Sequence, residues 1–308
     1  MNEQPLIVIL GATASGKTKL AVQLAHLLQA EIISADSRQV YRGMDIGTGK
    51  DLNEYMVDGQ LIPYHLINVV DAGTKYHVNN FLTDFHKTYE ALQSKGIPAI
   101  LCGGTGMYIH SLLQNYQYTS IPVDETLRTE LLTETRASLA EKLDTYPGEL
   151  TVHADRSTVK RLIRAIEIAE YLQNDEIHTE PHPKVNAIVI GLVDDVAQRR
   201  AKIYQRLERR LEEGLLAEVE ALIESGVSAD MLEFYGLEYK LSVQFLQGKL
   251  DFDSFKAQLF TQICQYAKRQ MTYFRKMERD GVHIHWFQAD TAPETILKGI
   301  LAAFQGTI

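Results

Sequence analysis

Cysteine is nearly absent: 308 residues hold two, Cys102 and Cys264. Two thiols alone build neither a disulfide framework nor a zinc site. Cys102 ends an apolar run and Cys264 sits in a helical pattern, so both read as small core residues. No apolar stretch approaches the roughly 20 residues that span a bilayer. Met1-Asn2-Glu3-Gln4-Pro5 lacks the basic lead-in of a secretory signal, so the expected location is the cytoplasm. CxxC, HExxH and GxSxG are missing, which leaves zinc-protease and serine-hydrolase readings unsupported. Asn-Lys-x-Asp is missing too, which weakens a GTPase reading. There is no internal repeat and no low-complexity segment. Excess positive charge is also lacking. Lys and Arg number 31 against 40 Asp and Glu, a net charge of −9 that argues against unspecific nucleic-acid binding.

What is present begins with phosphate. Gly11-Ala12-Thr13-Ala14-Ser15-Gly16-Lys17-Thr18 follows the apolar run Leu6–Leu10 and precedes an amphipathic pattern at Leu20, Ala21, Leu24, Leu27 and Leu28. Strand, glycine-rich turn and helix start make a P-loop, whose backbone N–H groups and helix N-terminus converge on an anion. Lys17 is placed to reach outer phosphates, and Thr18 to hold Mg²⁺. The motif does not say whether the phosphate belongs to a nucleotide.

Short β-rich runs recur at 6–10, 31–35, 97–102 and 185–193. Near-continuous apolar strands separated by helix predict a parallel sheet covered on both faces. The expected fold is α/β: a P-loop-type core over 1–112 and 185–308, a helical insertion over 113–184, and a helical C-terminal region from Ala197 to Lys276 with a turn near Ser225-Gly226. The insertion opens at Tyr116–Pro122 and closes at the proline-rich 178–183. In such sheets ligands sit beyond the carboxyl ends of the strands. That rule points to the P-loop, to Asp36-Ser37-Arg38-Gln39 and to Gly103-Gly104-Thr105-Gly106. Asp36 is open to three readings: general base, ligand to a Mg²⁺ water, or cap of a turn. Thr105 reads as a turn residue or a ligand contact. Asp194-Asp195, ending a buried strand, resembles a Walker B acidic pair. Three basic segments, at 156–164, 199–210 and 268–276, form an anionic-polymer groove if they converge on the P-loop edge. At this level a small-molecule kinase and a transferase with a phosphate leaving group stay equal.

Longer segments break the tie by resemblance. Gly11–Thr18, Asp36–Thr48, His65-Leu66-Ile67, Gly103–Gly106, Arg161–Glu167, Gly214–Val219 and Gln265–Arg275 together resemble the tRNA dimethylallyltransferase family. The resemblance implies transfer of a dimethylallyl group from dimethylallyl diphosphate to N6 of the adenosine on the 3′ side of the anticodon, with Mg²⁺. It implies catalytic roles for Asp36, Thr105 and Lys17, and diphosphate binding by Gly11–Thr18 and Arg206. It also implies tRNA contacts from Asp36, Ser37, Arg38, Gln39 and Thr105, and from Lys160, Arg161, Leu162, Ile163 and Arg164. The expected partners are the anticodon stem-loop and the prenyl donor, with no membrane and a monomeric chain. A relative that prenylates free adenine nucleotides is the alternative. The chain departs from the family pattern at Gly49-Lys50-Asp51, Asn68, Glu238-Tyr239-Lys240 and Tyr273.

Overall fold

In the computed structural model, residues 5–152, 154–175 and 182–305 are described. β1 (Leu6–Gly11) is buried at every position. Leu6, Val8 and Leu10 enter one hydrophobic cluster, while Ile7 and Ile9 enter another on the opposite face. A strand covered on both sides has no wet face, so its sequence is a continuous apolar run. β8 (Ala99–Gly103) is buried throughout, and β2 (Glu31–Ser34) and β9 (Ala187–Val193) are buried except at half-buried Glu31, Ala187 and Val193. In chain order two separate minor pairs fall between β2 and β8: β3 (Tyr41–Arg42) with β7 (Val70–Asp71), and β4 (Met56–Val57) with β5 (Gln60–Leu61). β6 (Tyr64–His65) and β10 (Ile284–Gln288) are the edges of a six-stranded parallel sheet ordered β10-β9-β1-β8-β2-β6.

The fold is the expected α/β arrangement, with two strands more than the apolar runs disclosed. β6 is two residues long, and β10 carries His285 and Gln288 exposed, so neither shows as an apolar run.

Helices cover both faces. α1 (Lys17–Leu28) buries Leu20, Ala21, Val22, Leu24 and Ala25 with Ile7 and Ile9, and α13 (Pro293–Gln305) adds Ile296, Leu297 and Ile300. The other face is covered by α2 (Val78–Ser94), α3 (Gly106–Gln114) and the long α12 (Phe252–Arg279). The C-terminal helical stretch consists of α8 (Val196–Glu212), α9 (Leu215–Glu224), α10 (Ala229–Tyr235), α11 (Leu237–Leu246) and α12. Gly236 ends α10 and starts α11 with φ 138°, a backbone conformation that side-chain-bearing residues rarely adopt. Among the described residues no helix is long and apolar enough to cross a membrane.

Contacts divide the chain into two units, Met1–Gln114 with Lys184–Ile308, and Asn115–Pro183. The second unit is helical: α4 (Glu125–Leu131), α5 (Arg136–Asp144), α6 (Gly148–Thr151) and α7 (Val159–Asn174). Its own core holds Leu131, Leu139, Leu143, Leu162, Ile163 and Ile166. Buried Glu167 receives Arg128 through two bonds, Nε to Oε1 at 2.7 Å and Nη2 to Oε2 at 2.8 Å. Residues 178–181 of the proline-rich closing link lie outside the described residues.

Candidate active site

The loop leaving β1 turns on Ser15 N–H donating to Ala12 C=O at 3.2 Å, with positive φ at Ala14 (62°) and Gly16 (80°). Successive amides in such a turn point inward and make a concave anion nest. A side chain at Gly11 would strike Ser15 Oγ at 2.5 Å, so the close return of the loop needs glycine there. Lys17 opens α1. Burial pushes its pKa below the ordinary lysine value. A desolvated ammonium of this kind favours an anionic ligand. Cys102, at the end of β8, is a buried thiol pushed up to about 12 by desolvation, which fits a core residue.

The loop, α8 and neighbouring segments line a cavity of about 640 Å³, a size suited to small-molecule substrates. Arg206 donates Nη2 to Gly49 C=O at 3.1 Å, approaches Thr13 Oγ1 with Nη1 at 3.4 Å, and pairs with Asp51. Arg209 reaches the other Asp51 oxygen at 3.3 Å. Burial pushes the Asp51 carboxyl up, but Arg206, Arg210 and Arg209 outweigh it and hold the group below the usual range. Burial, then Asp51, raises neighbouring Glu54. Arg210 is itself pushed down to about 10 by burial and by Arg206. Its nearest carboxylate is Glu238, at 3.6 Å, which burial raises. A side chain at Gly49 would overlap the Arg210 and Arg206 guanidinium groups, so this glycine lets both approach the loop.

The 45–49 loop is held from behind. Glu218 accepts N–H bonds from Asp45 (2.7 Å), Ile46 (2.6 Å) and Gly47 (3.0 Å), and the Tyr239 hydroxyl at 2.7 Å. Buried Lys50 donates to Tyr41 C=O, Asp45 and Asn68. Asn68 sits at φ 58°, which asparagine tolerates.

A second wall follows β2. Asp36 Oδ1 accepts Arg38 N–H at 2.9 Å, and Ser37 N–H donates to Thr105 Oγ1 at 3.0 Å. Gln39 accepts from Ser34 Oγ at 3.0 Å and donates to Gly49 C=O at 3.1 Å. Arg38 stacks over Phe234 at 5.4 Å, and Arg269 over Tyr266 at 5.9 Å.

The cavity wall therefore includes Thr13–Thr18, Asp36–Gln39 and Arg206. Gly11 and Ala12 are buried beneath it, and Thr105 braces Ser37 without lining it. In the separate helical unit, Lys160 and Arg161 are exposed, whereas Leu162 and Ile163 lie in its core. Arg161 binds Asp155 and Ser157. Arg164 donates to the carbonyls of Tyr118, Ile121 and Pro122 at 3.2, 2.7 and 3.2 Å. The Walker B resemblance has a different explanation. Asp195 caps α8 by accepting Ala197 N–H at 2.7 Å, and Asp194 is ion-paired to Lys202 at 2.6 Å. Glu54 on the wall carries no signal in the sequence, and Glu238 and Tyr239 stand out there only as departures from the family pattern. Arg209, Arg210 and Arg269 were signalled only as members of basic segments, and Tyr266 and Gln270 only as motif letters.

The IPP transferase family model matches residues 39–277, well over half of the chain. The chain belongs to the IPP transferase family. An isopentenyl transferase model also matches residues 4–65. A tRNA dimethylallyltransferase 2 of Phocaeicola vulgatus is 50% identical over 291 residues, covering 94% of each chain. One of Porphyromonas gingivalis is 47% identical, covering 95% of this chain and 98% of its own. The crystal structure of a tRNA isopentenylpyrophosphate transferase from Bacillus halodurans superposes with a TM-score of 0.71 at 29% identity, over 99% of this chain and 98% of that one. In this IPP transferase the oxygen donors fit the Mg²⁺ that the resemblance implies. Thr18 lies on the cavity wall, and buried Ser15 Oγ has no hydrogen-bond partner among the described residues. Among the described residues no three His, Cys, Asp or Glu side chains gather into a metal cage. Mg²⁺ needs none where substrate phosphates and water complete its shell.

Proposed function

We propose that this chain moves a dimethylallyl group from dimethylallyl diphosphate to N6 of the adenosine 3′-adjacent to the anticodon in tRNA, releasing diphosphate. It would act as a monomer in the cytoplasm. The reading rests on one juxtaposition. An anion cradle with a desolvated lysine and a carboxylate, Asp36, share one cavity in a member of the IPP transferase family.

The chemistry follows from that placement. The C1–O bond of the donor breaks, the C1–N6 bond forms, and the N6 proton passes to the Asp36 carboxylate. Negative charge gathers on the departing oxygens, so the N–H groups of 14–18, Lys17 and Arg206 stabilise the transition state more than the ground state. Bound Mg²⁺, held through Thr18, would add charge neutralisation to the leaving group. Arg38 and Arg269, each stacked on an aromatic ring, offer flat cationic surfaces to bases around an extruded adenosine. Lys160 and Arg161 supply charge for the RNA backbone.

Incubation of the protein with labelled dimethylallyl diphosphate and undermodified tRNA tests the proposal. Label should enter tRNA, and mass spectrometry should find N6-dimethylallyl adenosine next to the anticodon. Label entering free AMP but not tRNA, or ATP hydrolysis with no label transfer, would overturn it.

A further inference from the structure

One side chain of α12 spans the two walls of the cavity. Gln270 is buried, 7% exposed. Its Oε1 accepts Thr13 N–H of the P-loop at 2.9 Å, and its Nε2 donates to Gly104 C=O at 2.9 Å. Gly104 precedes Thr105, whose Oγ1 takes Ser37 N–H at 3.0 Å, next to Asp36. The amide therefore closes a relay: Thr13, Gln270, Gly104-Thr105, Ser37-Asp36. Its first member belongs to the anion cradle and its last to the wall that carries the carboxylate. Gly104 is shaped around the amide. A methyl group there would meet Gln270 Nε2 at 2.5 Å, while the next nearest atom, Gly11 O, is at 3.5 Å.

We propose that Gln270 is a positioning residue that sets the separation between the leaving-group cradle and the Asp36 turn. The inference rests on the function proposed above. Thr13 N–H is committed to Gln270, so it is unavailable to a bound anion; the cradle's remaining amides are those of 14–18. Losing the side chain thus removes no donor from the anion and no group from the reacting atoms. What is lost is the register of two loops between which C1 must meet N6. Reacting atoms need to approach within about 3–3.5 Å, and a misplacement of about 1 Å can cost roughly 100-fold in rate.

The test uses the full chain with Gln270→Leu, which keeps bulk and removes both bonds. The expected result is a 10- to 100-fold lower kcat. The KM for tRNA and the calorimetric Kd of inorganic diphosphate should each stay within about threefold of wild type. Unchanged kcat would overturn the proposal. A rise in the KM for tRNA matching the fall in kcat/KM would overturn it too, because it would make Gln270 a substrate contact. A second arm guards against a general folding defect. Gly104→Ala should lower kcat alone, by driving the amide from its place, but should add little in a Gln270→Ala background, where the space is open. Additive effects would refute the brace. If wild-type protein fails to prenylate tRNA, the proposed reaction falls; if it succeeds while Gln270→Leu retains kcat, only the brace falls.

Discussion

Asp36→Asn separates charge from geometry at the reacting centre. Asp36 Oδ1 accepts Arg38 N–H at 2.9 Å, and the next residue is tied to Thr105 at 3.0 Å. An asparagine oxygen accepts the same bond, so the turn should survive with its carboxylate charge removed. General acid–base groups contribute about 10²- to 10⁴-fold, or ~2.7–5.4 kcal/mol at 1.36 kcal/mol per tenfold. The lower end is expected here. Once the C–N bond forms, the nitrogen is strongly acidic and loses its proton readily, so the carboxylate acts mainly by orienting and polarising N6 beforehand. The expected loss is about 100-fold, ~2.7 kcal/mol. Single-turnover rates at saturating tRNA and donor isolate the chemical step, and tRNA affinity is measured separately. A single-turnover rate within about threefold of wild type would refute the assignment. So would a loss of tRNA affinity large enough to account for the defect.

Glu218→Ala strands three backbone N–H groups and the Tyr239 hydroxyl. Because Glu218 is half-buried and water re-solvates part of the set, the expected cost is about 3 kcal/mol, ~5 °C in Tm by calorimetry. Binding of inorganic diphosphate should depend on pH through Lys17. Burial lowers its pKa, and a bound anion raises it again, so above the free-state value binding takes up a proton and Kd weakens by up to about tenfold per pH unit. Below that value this contribution is flat. Comparison with Lys17→Gln removes the ligand's own ionisation, and a difference that stays constant up to about pH 10 would contradict the assignment. Lys160→Ala with Arg161→Ala should weaken tRNA binding and make its salt slope shallower by roughly one to two units, leaving diphosphate Kd unchanged. Arg164→Ala should lower Tm, since its guanidinium holds three carbonyls in place.

The parts of the site visible in sequence are those whose chemistry is local. The P-loop is eight consecutive residues, and its strand and helix flank it directly. Asp36 follows an apolar run, and the sheet rule places it at the same edge. Hidden parts depend on partners far along the chain. Nothing near Glu218 tells that its carboxylate caps a loop more than 170 residues earlier. Asp51 looked like a departure from a pattern, and only the fold brings it to Arg206 and Arg209. Asp194-Asp195 is ambiguous for the opposite reason: a strand-ending acidic pair is also what a helix start and a nearby lysine call for. Leu162 and Ile163 sit between the basic residues of one motif, but helical periodicity turns those two into the core.

The placement of β9 beside β1 has a consequence for synthesis. β1 gains one neighbour when β8 is made, but its other flank stays bare until residue 193 has been added. The ribosome needs roughly 5–20 s for the intervening 90 residues, Gly103 to Val193, at about 5–20 residues per second. During that interval the nascent cradle strand is an unfinished edge, open to pairing with other chains, while the 115–183 helices are emerging with a nucleus of their own. Lengthening that insertion prolongs the exposure.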